Sequence, residues 1–225
     1  MGLSVPSHRV RWQPCWRVIP TRLPRVSLYS RIAPAQDFAA LDRLEAETNE
    51  RVRLQREAPA LQTFRTPIAA DIILAPFAHP NPSGSRFSDG SYGVLYAGHT
   101  LATAVAETRY HRERFMRATT EPEMYLPMSS YRLDAQGTFH DIRAMRAQFK
   151  QVYSATSYAR SQPFASELRA HGSTGIVYDS VRHEGGQCVA GFSPLNFSHS
   201  RHGRDLLYLW DGNTITDVLY FSARA

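Results

Sequence analysis

Three polar side chains, Arg86, Tyr96 and Glu107, fall ten and eleven residues apart in the stretch GSRFSDGSYGVLYAGHTLATAVAETRYH, residues 84–111. Arg31 and Ser180 complete the set of candidate residues. Two arginines suit a pyrophosphate, because the guanidinium fork grips phosphate oxygens in pairs. A tyrosine can stack on a flat ring. A carboxylate and a hydroxyl suit a ribose, and a carboxylate also stabilises positive charge growing at a sugar carbon. By residue type the five are compatible with a dinucleotide pocket. Four of them also have a plain structural reading. Glu107 fits a surface carboxylate paired with Arg109 or Arg114, Arg31 a solvent-facing arginine beside a strand, Tyr96 a core tyrosine and Ser180 a turn serine.

These side chains must be positioned by local structure that the sequence also describes. Gly93 to Ala97 reads as a short strand, with Val94 and Tyr96 on one face and Leu95 and Ala97 on the other. The chain turns at Gly98, and Thr100 is placed to cap a helix. From Leu101 the apolar residues Leu101, Ala104, Val105 and Tyr110 form a helical stripe, with Glu107 at its flank. Arg86 lies in HPNPSGSRFSDGSYG, the longest polar Gly/Pro-rich loop of the chain. Such a loop serves either as a binding loop on a rigid scaffold or as a linker.

Around this stretch, Val10 to Ile19 reads as a strand bent at Pro14. An extended connector follows through Leu28 to Ile32, and then a long helix over Ala35 to Gln55 with Phe38, Leu41, Leu44 and Ala46 on its apolar face. Ile68 to Leu74 forms a short helix or strand. Met124 to Leu133 and Gly137 to Ile142 read as two strands around a turn at Asp134 to Gly137. Arg143 to Val152 and Ser157 to Ala170 read as helices, the second ended by His171-Gly172. Gly175 to Tyr178 is a short buried strand, and Gln187 to Phe192 is extended. Leu206 to Trp210 and Thr214 to Leu219 form a hairpin around Asp211-Gly212. Helices lie between some strands without regular alternation, which predicts a mixed α+β sheet rather than a doubly wound parallel one.

The 225 residues suit one large domain, and 43% apolar content is that of a globular chain. Two cysteines, Cys15 and Cys188, make no disulfide framework and no CxxC pair, which fits a reducing compartment. No apolar signal segment or membrane-spanning run is present, so the expected location is the cytoplasm. The net charge of +6 is carried by arginine, with Lys150 the sole lysine. It admits nucleic acid, a phosphorylated small molecule or an acidic protein as partner. The spacing of Rossmann, P-loop, zinc-protease and α/β-hydrolase motifs is absent, and no metal is expected. Cys188 has no identifiable base and reads as an inert buried thiol.

Four segments in order resemble the RES-domain family, named for Arg, Glu and Ser. They are SRF at Ser85 to Phe87, GVLYAG at Gly93 to Gly98, ATAVAE at Ala102 to Glu107 and GIVYDSVRHEGG at Gly175 to Gly186. LYSRIAP at Leu28 to Pro34 resembles the family's earlier Arg segment. The recognisable core spans about residues 70–195 of a single domain, with residues 1–66 as an N-terminal strand and helical extension. Phe87-Ser88 and Gln187-Cys188 depart from the family's Trp-Asn and Asn at those places.

The resemblance implies a fold similar to that of ADP-ribosyltransferases, a mixed split β-sheet flanked by helices. It implies a toxin of a toxin–antitoxin pair that acts on NAD as substrate, without metal. Carried over, Glu107, Arg86 and Ser180 are the catalytic residues: Arg86 on phosphate, Glu107 near the ribose and Ser180 closing the pocket. Arg31 on phosphate and Tyr96 on the nicotinamide side bind substrate. Arg17 and Arg22 compete with Arg31 for its role. The implied reaction is cleavage of the nicotinamide–ribose bond by phosphate or water, making the protein a phosphorylase or glycohydrolase. The rival activity is mono-ADP-ribosyl transfer to a protein. The non-enzyme alternative is a basic nucleic-acid-binding module, resting on charge alone. Implied partners are an antitoxin that carries a DNA-binding domain and blocks the pocket, and further copies of the chain within that complex.

Overall fold

A computed structural model describes residues 5–21 and 67–221. Among them the chain is α+β, as the irregular mixture of helical and strand patterns predicts. The strands are β1 (Ser7–Pro20), β2 (Leu95–Gly98), β3 (Met124–Asp141), β4 (Gly175–Asp179), β5 (Gln187–Gly191), β6 (Phe197–Trp210) and β7 (Ile215–Phe221). The helices are α1 (Pro67–Ala78), α2 (Leu101–Arg117) and α3 (Ser161–Ala170). The long helix expected over Ala35 to Gln55 and the connector before it lie outside the described residues, as do Arg22 and Arg31.

The strands form one mixed sheet in the order β1-β2-β5-β4-β3-β6-β7, and β1 also pairs with β3. That extra pairing closes the first five strands into a ring. One edge of β3 carries β1 along most of its length; the other carries β6 and then, at His140 and Asp141, the parallel strand β4. β6 and β7 continue the sheet outside the ring as the expected hairpin.

Strand alternation sorts the ring's side chains to two faces. Leu95, Ala97, Val177 and Val189 face one core cluster with Trp12, Leu133, Phe139 and residues 72–74 of α1. Ile176, Tyr178, Cys188 and Ala190 face another, with Phe87, Phe149 and Ala165 of α3. A third cluster sits between α2 and the outer strands, where Ala104, Val105 and Met116 meet Leu126, Leu206, Tyr208 and Trp210. Tyr110, expected in the apolar stripe of α2, is only half-buried.

Three sequence expectations are corrected. No turn interrupts β3 at Asp134 to Gly137. Gln136 and Gly137 pair with Arg11 and Val10 of β1, and the Asp134 carboxylate accepts from Gln13 and contacts His199. The polar, turn-like composition there serves cross-strand contacts. Residues 143–152 are a series of turns and not a helix. Ala144 adopts a positive φ of 57°, its N–H donates to Asp179, and the Arg143 N–H donates to Asp141, so the first turn of a helix cannot form. The following helix starts later than expected, at Ser161, because Ser157 to Arg160 are taken up in serine-stabilised turns. Its end is as expected: the Gly172 N–H bonds Arg169 and the Ser173 N–H bonds Leu168, a Schellman closure.

The packing of α2 on the ring depends on Gly98, which pairs with Trp16 on one side and Cys188 on the other. A Cβ there would lie 2.6 Å from the Ala104 nitrogen. Gly98→Val therefore pushes the first turn of α2 off the sheet. Equilibrium denaturation should show a loss of about 1–3 kcal/mol, typical of overpacking.

Candidate active site

The cap of α2 starts the assembly. Thr100 Oγ1 accepts from the Thr103 N–H at 3.2 Å and contacts the Thr103 hydroxyl at 2.9 Å. Buried Thr103 in turn contacts His183 Nδ1 at 2.9 Å. The helix N-terminus is thus tied to the loop that follows β4, and Glu107, two turns on, is brought over that loop.

There the Ser180 hydroxyl donates to Glu107 Oε1 at 2.6 Å and the Val181 N–H donates to the same oxygen at 3.2 Å. The Cys188 thiol approaches it at 3.9 Å. Ser180 is itself 1% exposed, and its Oγ accepts from the Arg182 and His183 N–H groups. Oε2 of Glu107 has no hydrogen-bond partner among the described residues. The carboxylate is anchored through one oxygen and presents the other. The plain reading of Glu107 does not hold: Arg109 pairs with Glu113, and Glu107 makes no ion pair with Arg109 or Arg114.

Arg86 comes from the loop before β2. It is only 7% exposed, and one terminal nitrogen donates to the carbonyls of Val152 at 2.9 Å and Ser154 at 3.0 Å. The guanidinium carbon stands 5.1 Å from the centre of the Tyr158 ring. No carboxylate among the described residues lies within ion-pair distance. A buried cation met by carbonyls and an aromatic face but by no carboxylate is costly, and an anionic ligand would relieve that cost. Arg86 and Glu107 converge electrostatically: both bear on the His111 imidazole, the Tyr178 phenol and the Cys188 thiol.

The loop carrying Arg86 is no linker. The Tyr96 hydroxyl accepts from the Phe87 N–H at 2.9 Å and shares a 2.8 Å bond with Ser85, so it clamps the chain on both sides of Arg86. Gln162 of α3 donates to the carbonyls of Ser85 and Ser88. Burial pushes the Tyr96 phenol far above its ordinary range, against its bonds to Ser85 and Phe87. Its hydroxyl therefore stays protonated and occupied with the loop. Of the rivals to Arg31, Arg17 donates to the Tyr96 carbonyl at 3.4 Å.

Cys188 is buried, and desolvation first, then the Glu107 charge, drives its thiol far up, as an inert thiol requires. It stands opposite Tyr178 in the β4–β5 register. The Tyr178 ring packs edge-on against Phe87 at 5.0 Å. Of the residues at which the chain departs from the resemblance, Cys188 thus approaches the carboxylate and Phe87 packs on Tyr178 across from it. Among the described residues no cluster of three acidic, His or Cys side chains is placed to hold a metal.

Two residues here escaped sequence reasoning. His111, which reads as packing, lies one turn beyond Glu107. It is exposed on the helix surface, yet desolvation by the groups around its ring holds its pKa below the ordinary value. Arg182, Arg86 and Arg114 act in the same direction, and Glu107 opposes them. Arg182 stacks on Tyr110, 3.2 Å from the ring centre, and bonds the Ala155 carbonyl. Its only signal is its place two residues after Ser180.

Tyr96→Phe leaves the buried Phe87 N–H without its acceptor and should lower stability by about 1–3 kcal/mol in denaturant titration. Glu107→Gln removes the one charge that raises the His111 pKa. Titration of the His111 ring by NMR should place its midpoint lower in the variant than in the parent protein.

A RES domain model matches residues 61–211, well over half of the chain. An uncharacterized protein of Sinorhizobium fredii (strain NBRC 101917 / NGR234), y4oC, is 28% identical over 208 residues, covering 91% of this chain and 86% of that one. Among solved structures, the toxin–antitoxin complex MbcT–MbcA of M. tuberculosis aligns with a TM-score of 0.45 at 7% identity, over 88% of this chain and 86% of the matched one. On the strength of the family match, which spans Arg86, Glu107 and Ser180, the chain belongs to the RES-domain family.

Proposed function

We propose that this RES protein is the toxin of a toxin–antitoxin pair and that it cleaves the nicotinamide–ribose bond of NAD+. One observation carries the reading. A buried guanidinium lacking a carboxylate partner and a carboxylate with one free oxygen act on the same neighbouring groups. Arg86 would hold the pyrophosphate, with Arg31 joining it as the resemblance implies. Binding energy from that end of the ligand then positions the reacting carbon. The bond from the ribose carbon to the nicotinamide nitrogen breaks with its electron pair on nitrogen. Nicotinamide leaves neutral, and positive charge grows on the ribose as in glycoside cleavage.

Glu107 Oε2 would stabilise that charge or orient the ribose hydroxyls, with Oε1 fixed by Ser180 and Val181. Tyr96 contributes by holding the Arg86 loop rigid. The electrophilic carbon is then taken by phosphate, water or a protein side chain. Family membership supports an antitoxin with a DNA-binding domain as partner, covering this site. It also supports the cytoplasm as the place of action. No helix among the described residues is long and apolar enough to cross a membrane.

Product analysis by NMR with purified protein, NAD+ and either phosphate or inert buffer tests this reading. Nicotinamide release is expected, with a phosphorylated ADP-ribose appearing only in phosphate if the protein is a phosphorylase. ADP-ribose in both buffers means hydrolysis, and label retained on a protein means transfer. Glu107→Gln should slow release by about 10²–10³-fold while keeping the fold. A variant that consumes NAD+ at the parent rate would remove the assignment.

A further inference from the structure

We infer that Arg182 is a second phosphate-holding arginine of this site, sharing the pyrophosphate with Arg86. The inference deepens the NAD reading and rests on it for the identity of the ligand. Its support is the way the two guanidinium groups are mounted. Arg86 donates to the carbonyls of Val152 and Ser154, and Arg182 to that of Ala155. The last two acceptors belong to consecutive residues, whose Cα atoms are about 3.8 Å apart. Two cations from different parts of the chain are thus anchored on one short segment, residues 152–155. The Arg182 backbone is fixed as well, its N–H donating to Ser180 Oγ at 3.1 Å.

Three other arginines are neutralised by carboxylates, and these two are not. Arg109 and Arg117 pair with Glu113, and Arg143 pairs with Asp141. Neither Arg86 nor Arg182 has a carboxylate within ion-pair distance among the described residues. Like charges held together repel unless an anion lies between them. The stack of Arg182 on Tyr110 fixes its plane, and Tyr110 donates to the same Ala155 carbonyl at 3.4 Å. The Arg182 fork is oriented before any ligand arrives, the arrangement that favours paired contacts to phosphate oxygens. Glu107 bears on His111 together with both arginines, so anion grip and carboxylate belong to one neighbourhood.

The test is calorimetric titration of the full chain with inorganic pyrophosphate, for the parent protein, Arg182→Ala and Arg182→Lys. It is paired with NAD+ turnover and with inhibition by nicotinamide, a fragment that carries no phosphate. Arg182→Ala should bind pyrophosphate about tenfold more weakly or worse, as expected for a lost charge-assisted contact. Its KM for NAD+ should rise with kcat retained, and nicotinamide inhibition should be unchanged. Arg182→Lys keeps the charge without the fork, should fall between, and decides the matter if the alanine variant does not fold. Unchanged pyrophosphate affinity, or an equal weakening of nicotinamide inhibition, overturns the inference. Arg182-dependent pyrophosphate binding in a parent protein that leaves NAD+ intact would remove the dinucleotide reading and leave the anion site standing.

Discussion

The bonds to a single oxygen of Glu107 are the constraint on which the rest of the site depends. A carboxylate at the edge of a buried cluster must have its charge met by donors. Here the Ser180 hydroxyl and the Val181 N–H meet it at Oε1, with the Cys188 thiol nearby. For these groups to meet, β4 must end where α2 passes over it. The chain achieves this through Gly98, which admits the helix, and through Thr103 and His183, which join helix to loop. The hydroxyl that fixes Glu107 also accepts two N–H bonds from its own turn, so the carboxylate and the loop stabilise each other.

The arginine-rich composition takes on meaning in the structure. A charge of +6 spread over a surface would say only that anions are attracted. Several arginines are neutralised locally by Glu113 and Asp141. Arg86 and Arg182 are mounted instead on carbonyls and aromatic faces, which fix a guanidinium's position without cancelling its charge. Cysteine and tyrosine near them stay protonated because burial penalises their anions, so Glu107 is not joined by competing negative charge.

Much of this was legible in the residues because the carrying signals are local. The Thr100 cap, the alternation in β2 and the 3.6-residue stripe of α2 are short-range patterns, and they placed Glu107 correctly on its helix. The approach of Ser180 to Glu107 spans 73 positions and could be anticipated only through family resemblance. Arg182 and His111 could not be singled out, since an arginine in a polar loop and a histidine on a helix look alike wherever they occur. Their meaning arises from groups elsewhere in the chain. The errors at residues 134–137 and 143–152 share one cause. Polar side chains that favour turns in isolation were engaged by distant strands at the first, and helix-compatible residues were held in turns by Asp141 and Asp179 at the second.

Closure of the ring by β1 separates two ideas of a boundary. The family signature begins at residue 61, yet the strand completing the ring comes from Ser7–Pro20, whose pairing with β3 runs from Ser7–His140 to Pro20–Met128. The stretch matched by the family model is therefore smaller than the unit that must cohere physically. A fragment trimmed to the signature would expose one long edge of β3 and strip the cover from Leu133, Ala135 and Phe139.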